Sequence, residues 1–76
     1  MYLMILFETQ ARYYAIEVQP DLFGGVTIVC QWGGKLNRRR GRKVYFAQNL
    51  TEADSLIKRI SQRRKNHGYH CSNAIV

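Results

Sequence analysis

Alternation of apolar and polar side chains over the first 47 residues is the feature that most limits the possible folds. In 13–18 and 26–32, every second position is aromatic, β-branched or otherwise apolar, and 44–47 repeats the pattern over a shorter length. Such period-two patterns are typical of strands that bury one face. The apolar run 2–7 adds a further strand. Together these segments predict four antiparallel strands joined by turns.

From residue 50 the apolar spacing changes to that of a helix. The apolar stripe, at i, i+3, i+4 and i+7, consists of Ala53, Leu56, Ile57 and Ile60. We expect Thr51 to cap the helix, with Asp54 as its capping-box partner. Gly68 is the expected stop. For the tail, 69–76, docking and fraying both remain open.

The predicted fold class is therefore α+β, a small four-stranded antiparallel sheet with one C-terminal helix packed on one face. A length of 76 residues predicts one domain over 1–76. In the turn at 19–25, Leu22 and Phe23 are expected to fold back onto the sheet edge. Val26, Ile28, Cys30 and Trp32 share one strand face, so Cys30 is expected to be buried.

Positive charge is concentrated in two short blocks. The net charge is +7, and 11 of the 12 Lys and Arg residues lie in 34–43 and 58–65, where no acid occurs. Two blocks of this kind on a small body favour a polyanionic partner over a merely solvated surface. The first block follows Trp32 and belongs to a glycine-rich loop predicted over 31–43 between two strands.

Several function classes lack support in the sequence. No paired carboxylates, nucleophile motif or phosphate-binding glycine motif is present, so no catalytic residue and no cofactor are expected. His67, His70, Cys71 and Cys30 have ligand chemistry but not the paired spacing of a zinc site, so no metal is expected. The 2–7 run is too short for a signal peptide or a membrane span. A cytoplasmic protein with reduced thiols is expected.

The loop and the helix end are the predicted binding surface. Arginines bind phosphates bidentately, and glycine backbone allows close approach. Trp32 is either a stacking platform for a base or an ordinary core residue at a strand end. The predicted contact residues are Trp32, Gly33, Lys35, Arg38, Arg39, Arg40, Arg42, Lys43, Arg63 and Arg64. The alternative is a protein-interaction module in which Tyr13, Leu36 and Tyr45 help the basic loop to dock on an acidic partner.

The order of these features resembles the WGR domain. The resemblance covers roughly 2–69. It rests on Arg12-Tyr13-Tyr14, Gln31-Trp32-Gly33, the basic run 38–42, the strand 44–47, Glu52-Ala53, and Lys65-Asn66-His67-Gly68-Tyr69. It implies a small antiparallel sheet with one helix. In DNA-dependent poly(ADP-ribose) polymerases such a domain contacts DNA ends, and small bacterial members stand alone as nucleic-acid-binding modules. The resemblance therefore implies a stand-alone, non-catalytic domain that binds nucleic acid, with DNA expected over RNA.

One position departs from the family pattern. Gly34 stands where the family has its signature arginine, and the following loop is longer by about two residues. Trp32 and Gly33 map directly, but the contact of that arginine does not carry over. Arg38, Arg39 and Arg40 are the candidates to replace it.

Overall fold

The structure, a computed structural model, describes residues 3–37 and 39–75 and contains one antiparallel sheet with one helix across it. The order of the strands in the sheet is β4-β3-β2-β1-β5, and each neighbouring pair is antiparallel. The elements are β1 (Leu3–Glu8), β2 (Arg12–Pro20), β3 (Val26–Gly34), β4 (Arg40–Ala47), α1 (Leu50–Asn66) and β5 (His70–Ile75).

The core lies between the helix and the sheet face that carries Trp32. Alternation along β2 and β3 sends every second side chain to this face, and Ile16, Ile28 and Cys30 are completely buried there. Full burial of one such aliphatic side chain stabilises the fold by about 1.5–3 kcal/mol. The burial predicted for Cys30 is confirmed. The helix contributes Ala53, with Leu56, Ile57 and Ile60 packed against the core.

A fifth strand corrects the prediction of a four-stranded sheet. β5 pairs antiparallel with β1, with an irregularity in register between Leu6 and Phe7. The question left open for 69–76 is thus answered for the described residues, because the tail docks on the sheet and makes β1 an interior strand. The segment 70–75 lacks a run of alternating β-branched residues, so its pairing comes from the free edge of β1 rather than from its own pattern.

The helix N-cap is Asn49, not Thr51 as predicted. The Asn49 side-chain oxygen accepts a hydrogen bond from the backbone N–H of Glu52 at 2.9 Å. Glu52 stands three residues after Asn49, which is the spacing of a capping box. The predicted stop is confirmed, because Gly68 has φ of 87° and the Tyr69 N–H bonds to the Arg64 carbonyl at 3.0 Å.

The β2–β3 turn also differs from expectation. Leu22 and Phe23 were expected to cover the sheet edge, but they are 97% and 95% exposed. The Asp21 carboxylate accepts from the N–H groups of Phe23 at 2.7 Å and Gly25 at 2.9 Å. This local turn fixes the backbone in a shape that directs both apolar side chains away from the sheet.

The basic loop is shorter than the predicted 31–43. β3 continues to Gly34 and β4 begins at Arg40, so the loop is confined to 35–39. Arg38 lies outside the described residues. Lys35 and Arg39 lie in this loop. The other described cations of the first block, Arg40, Arg42 and Lys43, lie in β4, where alternation along the strand decides the sheet face of each side chain.

Asn49→Ala is expected to destabilise the fold by about 1 kcal/mol, because it removes the acceptor for the first free amides of the helix. For a domain of this size that lowers the melting temperature by about 4–8 °C, measurable by circular dichroism. Thr51→Ala is the matched control and should change stability by less than about 0.5 kcal/mol. A larger effect at Thr51 than at Asn49 would contradict the cap assignment.

Candidate functional site

A half-open groove of about 760 Å³ lies between the 35–39 loop and the C-terminal end of the helix. Its floor is the Trp32 end of the helix-facing sheet surface. One side is formed by the loop and the β1–β2 turn, and the other side by the last turn of α1 and Tyr69. The lining residues are Ala11, Arg12, Tyr14, Trp32, Gly33, Gly34, Leu36, Asn37, Arg39, Arg40, Lys43, Tyr45, Arg63, Arg64 and Tyr69.

The groove is strongly cationic. Six of its lining residues carry a positive charge, and none of the described lining residues is acidic. The six are Arg12, Arg39, Arg40, Lys43, Arg63 and Arg64. They come from both basic blocks of the sequence and from β2. Charges that are far apart in the chain therefore act on one concave space, where their potentials add.

Two ion pairs found among the described residues lie outside this space. Lys35 Nζ is 3.0 Å from Glu8 Oε1, and Lys58 Nζ is 3.1 Å from Asp54 Oδ2. Neither pair involves a residue that lines the groove. The lining cations are therefore not neutralised by these two pairs and remain able to attract an anion.

Two stacked rings form the floor of the groove. Tyr14 and Trp32 are direct neighbours on β2 and β3, and their ring centroids are 5.6 Å apart with planes only 7° from parallel. An aromatic pair of this kind contributes about 0.5–1.5 kcal/mol beyond its buried area. Tyr14 is 8% exposed, whereas Trp32 is half-buried. Trp32 is thus both a core-packing residue and part of the groove surface.

Gly41 makes room for the indole. It is the register partner of Trp32 on β4, and the position that a β-carbon would take at Gly41 is filled by indole atoms of Trp32. Any side chain at residue 41 would displace the ring. The absence of a side chain at Gly41 therefore allows the Trp32 ring to occupy its place on the sheet.

Arg64 joins the helix end to this floor. Its guanidinium carbon lies 4.5 Å from the centroid of the Tyr14 ring and 5.6 Å from that of Tyr69. Its Nε is buried and has no hydrogen-bond partner among the described residues. The ring faces attract the cation, which offsets part of the cost of desolvating that nitrogen. Arg64 is therefore held in place more firmly than an arginine on an open surface.

Burial beneath the groove perturbs one pair of ionisable side chains. Burial, and then the hydrogen bond that the Tyr14 hydroxyl donates to the Cys30 sulfur, raise the pKa of Tyr14. Burial likewise raises the pKa of the Cys30 thiol, outweighing the lowering effect of that hydrogen bond and of the Arg64 charge. Both groups stay neutral at physiological pH, so they serve packing and do not supply a nucleophile.

Of the ten residues predicted for binding, seven lie at the groove, two do not, and one lies outside the described residues. Those at the groove are Trp32, Gly33, Arg39, Arg40, Lys43, Arg63 and Arg64. Lys35 is engaged with Glu8, and Arg38 lies outside the described residues. Arg42 is exposed and pairs in register with Gln31, which places it on the opposite sheet face from Trp32 and Lys43.

The sequence-based prediction missed other lining residues. Arg12 lies two residues before Tyr14 on β2 and is the register partner of Gly34. Alternation along β2 could therefore have predicted that Arg12 lies on the same sheet face as Trp32. Tyr14 and Tyr45 could have been found in the same way. Tyr69 gave no such signal, because its position depends on how the chain leaves the helix.

Gly34 is packed against the loop that follows it. A β-carbon at residue 34 would overlap the side-chain amide of Asn37, and Asn37 Oδ1 accepts a hydrogen bond from the Arg39 N–H at 3.0 Å. The Gly34 N–H also bonds to the Arg39 carbonyl at 3.2 Å. The loop thus folds over the place where a side chain of residue 34 would begin.

A family model for the WGR domain matches residues 3–75, so the chain belongs to the WGR domain family. This is a small domain of a nucleic-acid-binding type that is not catalytic by itself. No curated protein and no solved structure matches the chain. Among the described residues, no helix is long and apolar enough to cross a membrane.

The raised pKa values predict a loss of stability in alkali. The unfolded chain releases the Cys30 and Tyr14 protons near their ordinary pKa values of 9.0 and 10.0, whereas the folded chain retains them. The unfolded state then binds fewer protons, so the free energy of unfolding falls as pH rises above about 9, by up to about 1.4 kcal/mol per pH unit for each proton. Denaturant titrations followed by Trp32 fluorescence measure this. In Tyr14→Phe the decline above pH 10 should be shallower, and parallel profiles would contradict the assignment.

Proposed function

We propose that this chain is a non-catalytic nucleic-acid-binding domain that uses the groove as its contact surface, with DNA expected over RNA. The observation that carries the proposal is the convergence of both basic blocks on one groove without a described acidic lining residue. Family membership supports the ligand class, since the WGR domain is a nucleic-acid-binding type of domain. The preference for DNA rests on the family resemblance alone.

The chemistry of the groove suits a phosphate backbone. Five of its six cations are arginines, whose planar guanidinium groups bind phosphate oxygens through two parallel hydrogen bonds. The exposed Arg39, Arg40 and Arg63 are free to adjust to the ligand, whereas Arg64 is fixed against Tyr14 and Tyr69. A fixed cation loses little side-chain entropy on binding. Arg64 is therefore expected to contribute more to affinity than its neighbours.

Arg12 and Arg39 compensate for the missing family arginine at Gly34. Arg12 is the register partner of Gly34, and the Arg39 carbonyl bonds to the Gly34 N–H. Both side chains line the groove. Two arginines thus lie next to residue 34 although the residue itself has no side chain, which supports binding to a phosphate backbone in general. Binding assays with blunt and nicked duplexes test recognition of DNA ends.

An acidic protein remains the alternative partner. The aromatic and apolar side chains proposed for it do not form one patch, because Tyr45 and Leu36 line the groove while Tyr13 packs against Gly33 on the other sheet face. An acidic protein would therefore compete for the groove itself. The affinities of the same fluorescently labelled chain for DNA and for poly-glutamate of equal charge separate the two, because tighter binding of poly-glutamate would favour the acidic protein.

The double variant Arg39→Ala/Arg40→Ala is expected to weaken nucleic-acid binding. With about six phosphates neutralised, the wild-type affinity should fall by roughly three orders of magnitude between 50 and 200 mM salt. Removal of two contacts should reduce the slope of log affinity against log salt by about two. Fluorescence anisotropy across a salt series measures both quantities.

Arg42→Ala is the control for this pair, since it removes an exposed arginine of the same strand that does not line the groove. It should leave the salt slope within about 0.5 of wild type. Binding of the wild type that does not change with salt would contradict the proposed function. An Arg42 effect equal to that of the double variant would show that the contact is not confined to the groove.

Arg64→Lys is expected to lower affinity about tenfold although the charge is retained, because an ammonium group neither stacks between two rings nor forms a forked contact. Arg63→Lys, one residue earlier, should lower it less than about threefold. Anisotropy titrations at one salt concentration compare the two, and thermal melts of each variant separate binding from folding. Equal losses in the two variants would show that Arg64 acts only as a point charge.

A further inference from the structure

A second cavity continues the groove beneath the helix. It has a volume of about 250 Å³ and shares four lining residues with the groove, namely Tyr14, Tyr45, Arg63 and Arg64. Its lining also includes Arg59, which is not part of the groove. The shared residues make the two cavities neighbours on one face, with Arg63 and Arg64 at their junction.

The helix spaces its cations along this face. Arg59 and Arg63 are four residues apart, so they lie on the same side of α1 about one turn from each other. Lys58, next to Arg59 in the chain, does not line either cavity, and its ammonium pairs with Asp54 at 3.1 Å. Arg59 therefore extends the cationic lining beyond the groove, and Lys58 does not.

We propose that the ligand is a single nucleic-acid strand that runs from the groove past Arg64 into the second cavity, with Arg59 as a further phosphate contact. This inference rests on the proposed function and assigns the form of the ligand. The two cavities form a concave path between the helix and the sheet, with Tyr14 and Tyr45 along its bottom. A single strand can enter such a path because its backbone bends and its bases are not paired with a partner strand.

A duplex suits this path less well. Its phosphates lie on a convex outer surface, so it would reach the exposed cations at the rim and leave the bottom of the path unoccupied. Binding surfaces for single strands characteristically combine a cationic channel with aromatic side chains. The cations on the path are Arg12, Arg39, Arg40, Lys43, Arg59, Arg63 and Arg64, which is an extended set rather than a single anion site.

The test compares a twelve-nucleotide oligothymidine with a twelve-base-pair duplex on the full chain. We expect the wild type to bind the single strand about tenfold more tightly than the duplex at equal salt. Arg59→Ala should weaken single-strand binding about fivefold and reduce its salt slope by about 0.7. Lys58→Ala, the adjacent control, should change affinity by less than about twofold.

The outcomes separate this inference from the proposed function. Equal effects of Arg59→Ala and Lys58→Ala would overturn the path through the second cavity. Duplex binding as tight as single-strand binding would overturn the assignment of a single strand, while weakening of that duplex binding by the Arg39/Arg40 double variant would leave the proposed function standing. Absence of salt-dependent binding to either probe would overturn both.

Discussion

Contact between Arg64 and the Tyr14 ring is the interaction on which the groove depends. Tyr14 belongs to β2 and Arg64 to the last turn of α1, so a centroid distance of 4.5 Å ties the helix end to the sheet. The same ring stacks on Trp32 from β3. Three elements therefore meet at one aromatic side chain, and this meeting places the two basic blocks on either side of one groove. With a displaced helix end, Arg63 and Arg64 would be a separate patch.

Bringing six cations to one space opposes folding, because like charges repel at these distances in the absence of salt. The fold limits that cost in two ways. Arg64 and Lys43 lie over tyrosine rings, with Lys43 Nζ 5.1 Å from the Tyr45 centroid, and the ring faces attract them. The groove is also half-open, so water screens the remaining charges. A polyanion would remove the rest of the repulsion, which makes the unliganded groove the less stable electrostatic state.

The sequence predicted the sheet and helix well where periodicity was long. β2, β3 and the stripe of α1 were recognisable because alternation over six or seven residues, or an i, i+3, i+4, i+7 stripe, leaves few other arrangements. Predictions failed where a single local contact decides the outcome. Asn49 rather than Thr51 caps the helix, and the Asp21 turn leaves Leu22 and Phe23 exposed. β5 was missed because a strand can be recruited by a free sheet edge without a pattern of its own.

For the groove, the charge blocks and the lack of acids among them predict an anionic ligand from the sequence alone, because neither feature depends on the fold. The sequence alone did not predict which of these cations line the groove together. Arg42 and Lys43 are neighbours in the chain yet lie on opposite sheet faces, because alternation separates them once the register with Gln31 and Cys30 is set. Arg12 joins the groove although it lies far from either block. Strand register and helix docking depend on contacts between residues far apart in the chain. These contacts, rather than the residue types, decide which basic residues line the groove.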